Sequence, residues 1–306
     1  MRYGFDIGGT KMELAAYDDL LNQVWCQRVS TPGEDYAAFL AAVKQLVQRA
    51  DGELGVTGRI GIGLPGVVHP QTRRQLSANV PCLTGRCLAD DLEKMLGRPV
   101  AIGNDCHCFA LSEASTPQTA ACRVVFGAVI GTGAGGGLVI DRRLQRGRNG
   151  MAGEWGHLPI PASLVQRYAL PLFPCGCGLT GCYERYVSGP GLLALSQHRG
   201  HPADSLPALM ARYRAGDPHA RDLFDLFIDI LACALAGLQM VVDADAFVLG
   251  GGLSNISEIY PLLPAAMGRW LFPGYAPAPV MPPVYGDSSG VRGAALLSEE
   301  GAGRDD

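Results

Sequence analysis

The residues from Gly153 to Glu184 limit what this chain can become more than any other stretch. They read Gly-Glu-Trp-Gly-His over 153–157 and, after an apolar linker, Cys-Gly-Cys-Gly-Leu-Thr-Gly-Cys-Tyr-Glu over 175–184. Cys175, Cys177 and Cys182 are interleaved with glycines at 176, 178 and 181. Glycine lets the backbone fold back on itself, so the three sulfurs can converge on one ion. His157 offers a fourth ligand, and zinc takes such sets of N and S donors tetrahedrally. The alternative is a group of buried or disulfide-bonded cysteines, since the single-residue gap between Cys175 and Cys177 is not the commoner C-x-x-C spacing. His157 alone reads as an ordinary structural histidine; Glu154 and the thiols beside it favour a ligand. The same knot brings Glu154, His157 and Glu184 together, so two carboxylates and an imidazole line one pocket wall.

Composition frames this knot. At 306 residues the chain has room for two domains with sizeable cores. Apolar residues make up 48% and charged residues 18%, which predicts a compact globular protein. A formal charge of −4 with no run of Lys or Arg excludes an electrostatic footprint for nucleic acid. Arg2-Tyr-Gly-Phe-Asp runs straight into a strand-like pattern, which predicts no secretion signal and a cytoplasmic protein. The uncharged run Ile230–Val242 is too short to span a bilayer, so no membrane partner is expected. Ten cysteines in such a chain argue for free thiols and metal rather than disulfides. The seven outside the knot are read as buried fillers.

Around the knot the chain alternates strands, glycine turns and helices. Residues Tyr3–Tyr17 read as strand, turn, strand, with Gly8-Gly9 and Thr10 at the turn and Asp6 just before it. Bare backbone there leaves room for phosphate oxygens to meet N–H groups. Asp6 is placed to hold a magnesium-bound water, and Lys11 adds positive charge; a plain hairpin is the alternative. A helix follows over 36–50, with Phe39, Val43, Leu46 and Val47 on one face. Arg59–Val68 is a strand broken by Pro65-Gly66, a turn signal. Asn79 lies in a polar break and reads as a turn residue. Val100–Asp105 is a short strand ending on Asn104 and Asp105 ahead of a helix. A helix N-cap is one reading of that pair; a general base at Asp105, with Asn104 donating to a substrate hydroxyl, is the other.

Val124–Asp141 repeats the opening pattern about 125 residues on, with Gly131, Thr132, Gly133 and Gly135 in or beside the turn. This echo predicts two related halves. The spacing Gly131-x-Gly133-x-x-Gly136 matches a dinucleotide fingerprint literally, but it runs into the apolar Leu138-Val-Ile and not into a helix, which excludes that reading. Polar helical stretches lie between Pro190 and Ala220. The helix over 220–242 starts amphipathic, with Arg221, Asp222, Asp225 and Asp229 on one side, and then loses all charge. Asp245–Gly252 reads as strand then glycine loop, and Gly250-Gly251 suits an adenine or ribose against bare backbone. Leu253-Ser254 is taken to start a further helix, Gly286–Leu297 a closing helix and 301–306 a disordered tail.

The motif Glu154-x-Gly-His157 followed by Cys175-x-Cys177-Gly-x-x-Gly-Cys182-x-Glu184 resembles the signature of the ROK family of sugar kinases and repressors. The resemblance runs from about Arg2 to about Leu297. It implies an α/β protein of the actin-like ATPase (ribonuclease H-like) fold, with two related domains and a cleft between them. The implied division is an N-terminal domain over 1–118, closed by a helix near 290–300, and a larger domain over 119–289 carrying the zinc. The implied activity is transfer of the ATP γ-phosphoryl group to the 6-hydroxyl of a sugar. Whole-chain likeness favours N-acetyl-D-glucosamine, and glucose, fructose and N-acetylmannosamine are rivals. In this reading Asp105 is the base; Gly66, Asn79, Asn104, Glu154, His157 and Glu184 contact sugar. Asp6, Gly8, Gly9, Thr10, Lys11, Gly131, Thr132, Gly133, Gly135, Gly250 and Gly251 hold Mg2+ and ATP. Zinc on His157, Cys175, Cys177 and Cys182 is structural, with no open coordination position. Cys106-His107 departs from the family's more frequent Ala-Asn and puts the pocket floor in doubt. Family repressors place a helix-turn-helix before the first hairpin; here that hairpin begins at residue 3, which favours the kinase. The family's habit of pairing implies a homodimer.

Overall fold

The computed structural model describes residues 1–69, 71–77 and 79–300. The tail at 301–306 lies outside the described residues. In chain order the strands are β1 (Arg2–Ile7), β2 (Lys11–Tyr17), β3 (Gln23–Ser30), β4 (Arg59–Leu64), β5 (Val67–Val68), β6 (Gln75–Leu76), β7 (Val100–Asn104), β8 (Val124–Ile130), β9 (Ala134–Ile140), β10 (Arg143–Leu144), β11 (Ala246–Gly250) and β12 (Val280–Met281). The helices are α1 (Tyr36–Leu54), α2 (Leu88–Leu96), α3 (Asp105–Glu113), α4 (Ala162–Tyr168), α5 (Glu184–Val187), α6 (Gly189–His198), α7 (Leu206–Arg214), α8 (Pro218–Val242), α9 (Ile259–Gly268) and α10 (Ser289–Glu300).

The echo seen in the hairpins is an echo of whole sheets. One five-stranded sheet has the order β3-β2-β1-β4-β7 and the other β10-β9-β8-β11-β12. In the first, β1 is antiparallel to β2 and parallel to β4, which is parallel to β7. In the second, β11 is parallel to both β8 and β12. Parallel strands align their carboxyl ends, and in open α/β sheets ligands collect there. The turns at 8–10, 65–66 and 104–105 are such ends in one sheet, and those at 131–133 and 250–251 in the other.

Contacts divide the chain into two units: residues 1–120 with 137–152 and the C-terminal residues from 285, and residues 121–136 with 153–284. Residues 137–152 and 285–289, assigned by sequence to the second domain, thus pack with the first. The cause is local. A Cβ on Gly137 would meet the Ala110 methyl at 2.7 Å, so only glycine lets that strand approach α3. Arg146 Nη1 donates to the Ile102 carbonyl at 2.8 Å, and the Tyr285 N–H donates to Glu113 Oε1 at 3.0 Å.

In the first unit α1 lays Phe39, Val43, Leu46 and Val47 onto β1, β2 and β4, whose inward side chains include Tyr3, Phe5, Leu14 and Ile62. The helix runs on to Leu54, four residues past the expected end, and stops where Gly55 turns left-handed. The closing helix starts at Ser289 because 286–288 form a 3-10 turn. It lies against β1, β4 and α3 at backbone contact. A Cβ would fall 2.0 Å from the Val291 carbonyl if built on Gly4, 1.8 Å from that of Ala294 on Gly61, and 1.7 Å from that of Cys108 on Gly293. Its buried Arg292 donates to the Ser112 and Ser115 carbonyls.

The second unit is built on α8. By length and composition α8 is the one described helix apolar enough to cross a membrane; it starts at Pro218, two residues before the expected start, and ends at Val242 as expected. Most of it is buried inside the protein, as in a core helix. Asp229, placed by sequence on its polar side, is only 2% exposed. Arg167, Tyr168, Arg269 and Trp270 all donate to its carboxylate, so it ties α4 and the end of α9 to α8. Ser254 sits in a 3-10 turn, and the next helix starts at Ile259. Of the seven cysteines outside the knot only Cys108 and Cys233 are buried; Cys26 is exposed and Cys82, Cys87, Cys106 and Cys122 are half-buried, which corrects their reading as fillers.

Candidate active site and metal centre

In the first unit the predicted residues gather at the carboxyl ends of β1, β4 and β7. Asn104 caps α3, its Oδ1 accepting from the Cys106 N–H at 2.8 Å, while its Nδ2 donates to the Gly66 carbonyl at 3.0 Å. The cap reading therefore holds, and the same side chain ties β7 to the Pro65-Gly66 turn. Gly66 has φ +110°, and a Cβ there would meet the Leu76 carbonyl at 2.1 Å. Asp105 opens α3 with an exposed side chain whose Oδ1 accepts from the Cys106 N–H at 2.9 Å. His107, next along, is buried against the Ala152 carbonyl at 2.9 Å.

The turn after β1 closes on itself, the Gly8 N–H donating to the Lys11 carbonyl at 2.8 Å. A Cβ on Gly9 would lie 2.6 Å from the Asn79 carbonyl, so Gly9 makes room for backbone there and Asn79 stands beside the turn. Lys11 is exposed. Asp6 lies below the turn, against the start of α10, where Gly290 leaves it space. Burial, and then the charges of Asp105 and Glu13, push its carboxyl up to about 6. A half-buried acid with a raised pKa facing a second carboxylate is a place where a cation is stabilising.

The second unit holds the knot. The ligand atoms of His157, Cys175, Cys177 and Cys182 all lie within 4.8 Å of one another. His157 Nδ1 is 3.6 Å from Cys175 Sγ, and Cys177 Sγ is 3.6 Å from Cys182 Sγ. Zinc–sulfur bonds of about 2.3 Å in a tetrahedron set sulfurs roughly 3.7 Å apart, so the donors fit zinc in number, kind and spacing. Burial pushes the Cys182 thiol up to about 12 and raises that of Cys175, whereas the Leu179 backbone lowers Cys177. Gly178 and Gly181 take φ of +88° and +76°, the left-handed backbone that the reversal requires.

The neighbours of the knot rest on the start of β9. Trp155 is buried and its Nε1 donates to the Gly135 carbonyl at 2.6 Å. A Cβ on Gly156 would sit 2.0 Å from the Ala134 carbonyl. These two residues, overlooked between Glu154 and His157, press that pair onto β9. The other ring nitrogen of His157, Nε2, lies 3.8 Å from Glu154 Oε2. Glu184 accepts from the Ala134 N–H through Oε2 at 3.0 Å, and its Oε1 is 3.6 Å from Cys175 Sγ. Glu154, His157 and Glu184 are thus brought together around the ligand atoms.

The glycine turns of this unit also meet one another. A Cβ on Gly251 would fall 2.5 Å from the Ile130 carbonyl, and the Gly131 carbonyl accepts from the Gly189 N–H at 2.8 Å. Gly131–Gly133 and Gly250–Gly251 therefore form one patch of bare backbone. A cavity of about 350 Å³ elsewhere in the unit is lined by His198, Arg199, His201, Arg212, His219 and Asp222 among others and includes none of these residues.

Two sheets of the same order, with glycine turns at the carboxyl ends of their parallel strands and acids at those of the first, define an actin-like ATPase fold of the kind used by sugar kinases. The chain matches the ROK family over residues 2–300 and belongs to it. It is 48% identical over 298 residues to the N-acetylgalactosamine kinase AgaK of Shewanella sp. (strain ANA-3), covering 97% of this chain and 96% of that protein. It is 44% identical over 299 residues to the N-acetyl-D-glucosamine kinase of Pectobacterium carotovorum subsp. carotovorum (strain PC1), covering 97% and 98%. A ROK family glucokinase from Streptomyces griseus, solved in complex with glucose and AMPPNP, superposes with a TM-score of 0.75 at 29% identity, covering 98% and 99% of the two chains.

Proposed function

We propose that this protein transfers the γ-phosphoryl group of ATP to the 6-hydroxyl of N-acetyl-D-glucosamine, giving the 6-phosphate for amino-sugar salvage and cell-wall recycling. One observation carries the reading: Glu154 and Glu184 stand beside His157 and Cys175 in a cluster of four donors suited to one metal, which supplies groups able to hydrogen-bond hydroxyls. The relatives named for N-acetylhexosamines at 44% and 48% identity supply the sugar class.

In this reading Asp105, exposed at the head of α3, takes the proton from the attacking hydroxyl; such a base is worth about 10² to 10⁴ in rate. Asp6 holds a water of the magnesium that accompanies ATP, and its raised pKa marks the charge that the cation offsets. The bare backbone of Gly8–Thr10, Gly131–Gly133, Gly135 and Gly250–Gly251, with Lys11, receives the nucleotide. Phosphoryl transfer asks mainly for position and charge, which these groups provide. His157, Cys175, Cys177 and Cys182 hold zinc, which fixes the His157 ring. Its Nε2 then meets a sugar hydroxyl, and Glu154 and Glu184 accept from others. Gly66, Asn79 and Asn104 complete the sugar contacts. The same reading takes the protein as a cytoplasmic homodimer without nucleic-acid or membrane partners, on its composition and family.

N-acetyl-D-galactosamine is a second reading, favoured by the 48% identical relative and absent from the rivals read in the sequence. The two sugars differ only at the 4-hydroxyl. ATP-dependent phosphorylation across N-acetylglucosamine, N-acetylgalactosamine, N-acetylmannosamine and glucose, compared as kcat/KM, tests both. The proposal predicts the highest value for N-acetylglucosamine. A higher value for N-acetylgalactosamine replaces it with the second reading, and turnover of none of them overturns the kinase.

A further inference from the structure

The contacts of Glu184 reach beyond sugar recognition. Its Oε2 accepts from the Ala134 N–H at 3.0 Å, directly after the Gly131–Gly133 turn. A Cβ on Gly133 would meet the same oxygen at 2.7 Å, so the carboxylate lies flush on the turn. Its other oxygen is 3.6 Å from Cys175 Sγ in the metal centre. Trp155 and Gly156 press the segment bearing His157 onto the neighbouring Ala134 and Gly135 carbonyls. Downstream, Glu184 opens α5, which leads through Ser188 to Gly189, whose N–H donates to the Gly131 carbonyl at 2.8 Å. The turn is therefore held on both sides: by a carboxylate of the knot on its exit and by the α5–α6 junction that follows the knot on its entry.

We propose that Glu184 is a positioning residue for the nucleotide, locking the Gly131–Ala134 turn to the metal centre so that an intact centre sets ATP affinity even when no sugar is present. The inference rests on the assignment of that turn to ATP. A hydrogen bond from a backbone N–H to a carboxylate is stronger than a neutral one, and its loss unpins the exit of a glycine-rich turn that is otherwise held by its own Gly131–Gly133 hydrogen bond and by the Gly189 N–H at its entry. Binding of a non-hydrolysable ATP analogue with Mg2+ and without sugar, measured by calorimetry, tests it on four proteins: wild type, Glu184→Ala, Glu184→Gln and Gly251→Ala. Glutamine retains an oxygen for the Ala134 N–H; alanine does not.

The inference predicts that Glu184→Ala weakens the analogue roughly tenfold or more, that Glu184→Gln recovers most of the loss, and that stripping the metal from the wild type mimics Glu184→Ala. Gly251→Ala, whose Cβ would crowd the Ile130 carbonyl, reports on the nucleotide assignment independently. If Gly251→Ala weakens the analogue while Glu184→Ala and metal removal do not, the inference fails alone. If none of the changes alters binding, the nucleotide assignment fails and takes the inference with it. If glutamine is as damaging as alanine, or alanine weakens binding only in step with a lowered Tm, the role is general stability and the inference is overturned.

Discussion

The two sheets share one strand order but equip the ends of their parallel strands differently. In the first, polar side chains flank the turns: Asp6 near the end of β1, Asp105 at the head of α3, and Asn104 tying that head to Gly66. In the second the ends are bare glycine backbone, and the side chains proposed to recognise the sugar come from the knot that is inserted after β10 and docked on β9. A strand end places one acid well, because the sheet fixes it. Several groups aimed at a ring of hydroxyls need a scaffold of their own, and four side chains able to hold one metal would supply it in a short segment. Under the proposed function this is a division of labour: chemistry from strand ends, recognition from a loop that ligation would make rigid.

Substitutions can break that division. Asp105→Asn should lower kcat by about 10² to 10⁴ with little change in sugar binding, since a base acts in the transition state. Steady-state kinetics with the sugar varied checks it; a kcat near wild type moves the chemistry away from the first sheet. Glu154→Ala should raise the sugar KM roughly tenfold or more while kcat falls less, as loss of a charged hydrogen-bond partner does. An effect confined to kcat would make the knot catalytic and erase the contrast.

Asp6 sharpens the comparison from the side of stability. Its folded pKa of about 6 lies above the ordinary value of 3.8. The charged form is thus disfavoured in the folded state, and Asp6 destabilises the protein above pH 6 but not below the ordinary value. Asp6→Asn should then gain on the order of 2–3 kcal/mol at pH 7, a gain that fades as the pH falls through 6 towards 4. Denaturant melts across that range read it. A variant less stable than wild type at pH 7 would mean that the first sheet's acid is structural rather than held at a cost for a cation.

The sequence announced what is local. Gly8-Gly9, Gly131–Gly133 and the thiol spacing are short-range patterns with short-range geometry, and the likeness of the two hairpins extends to their whole sheets. Long-range contacts were not legible. Gly4, Gly61 and Gly293 look like ordinary glycines until α10 lies on them. Asp229 carries the helical spacing of a solvent-facing acid, and only the arrival of Arg167 and Trp270 from distant segments buries it. Residues 137–152 continue a strand of the second sheet in sequence, yet Gly137 and Arg146 bind them to α3 and β7. In the site, the candidate metal donors could be read from residue type, whereas the hold of Glu184 on the Ala134 N–H joins residues fifty apart.

The central claim is that ligation of the knot creates the sugar-recognising surface. Calorimetric titration of N-acetyl-D-glucosamine into the protein as loaded with zinc, after chelation, and after zinc is restored tests it most directly. The account predicts binding that weakens roughly tenfold or more on chelation and returns with the metal. Equal affinity in all three states, with the four donors verified empty in the second, would contradict it.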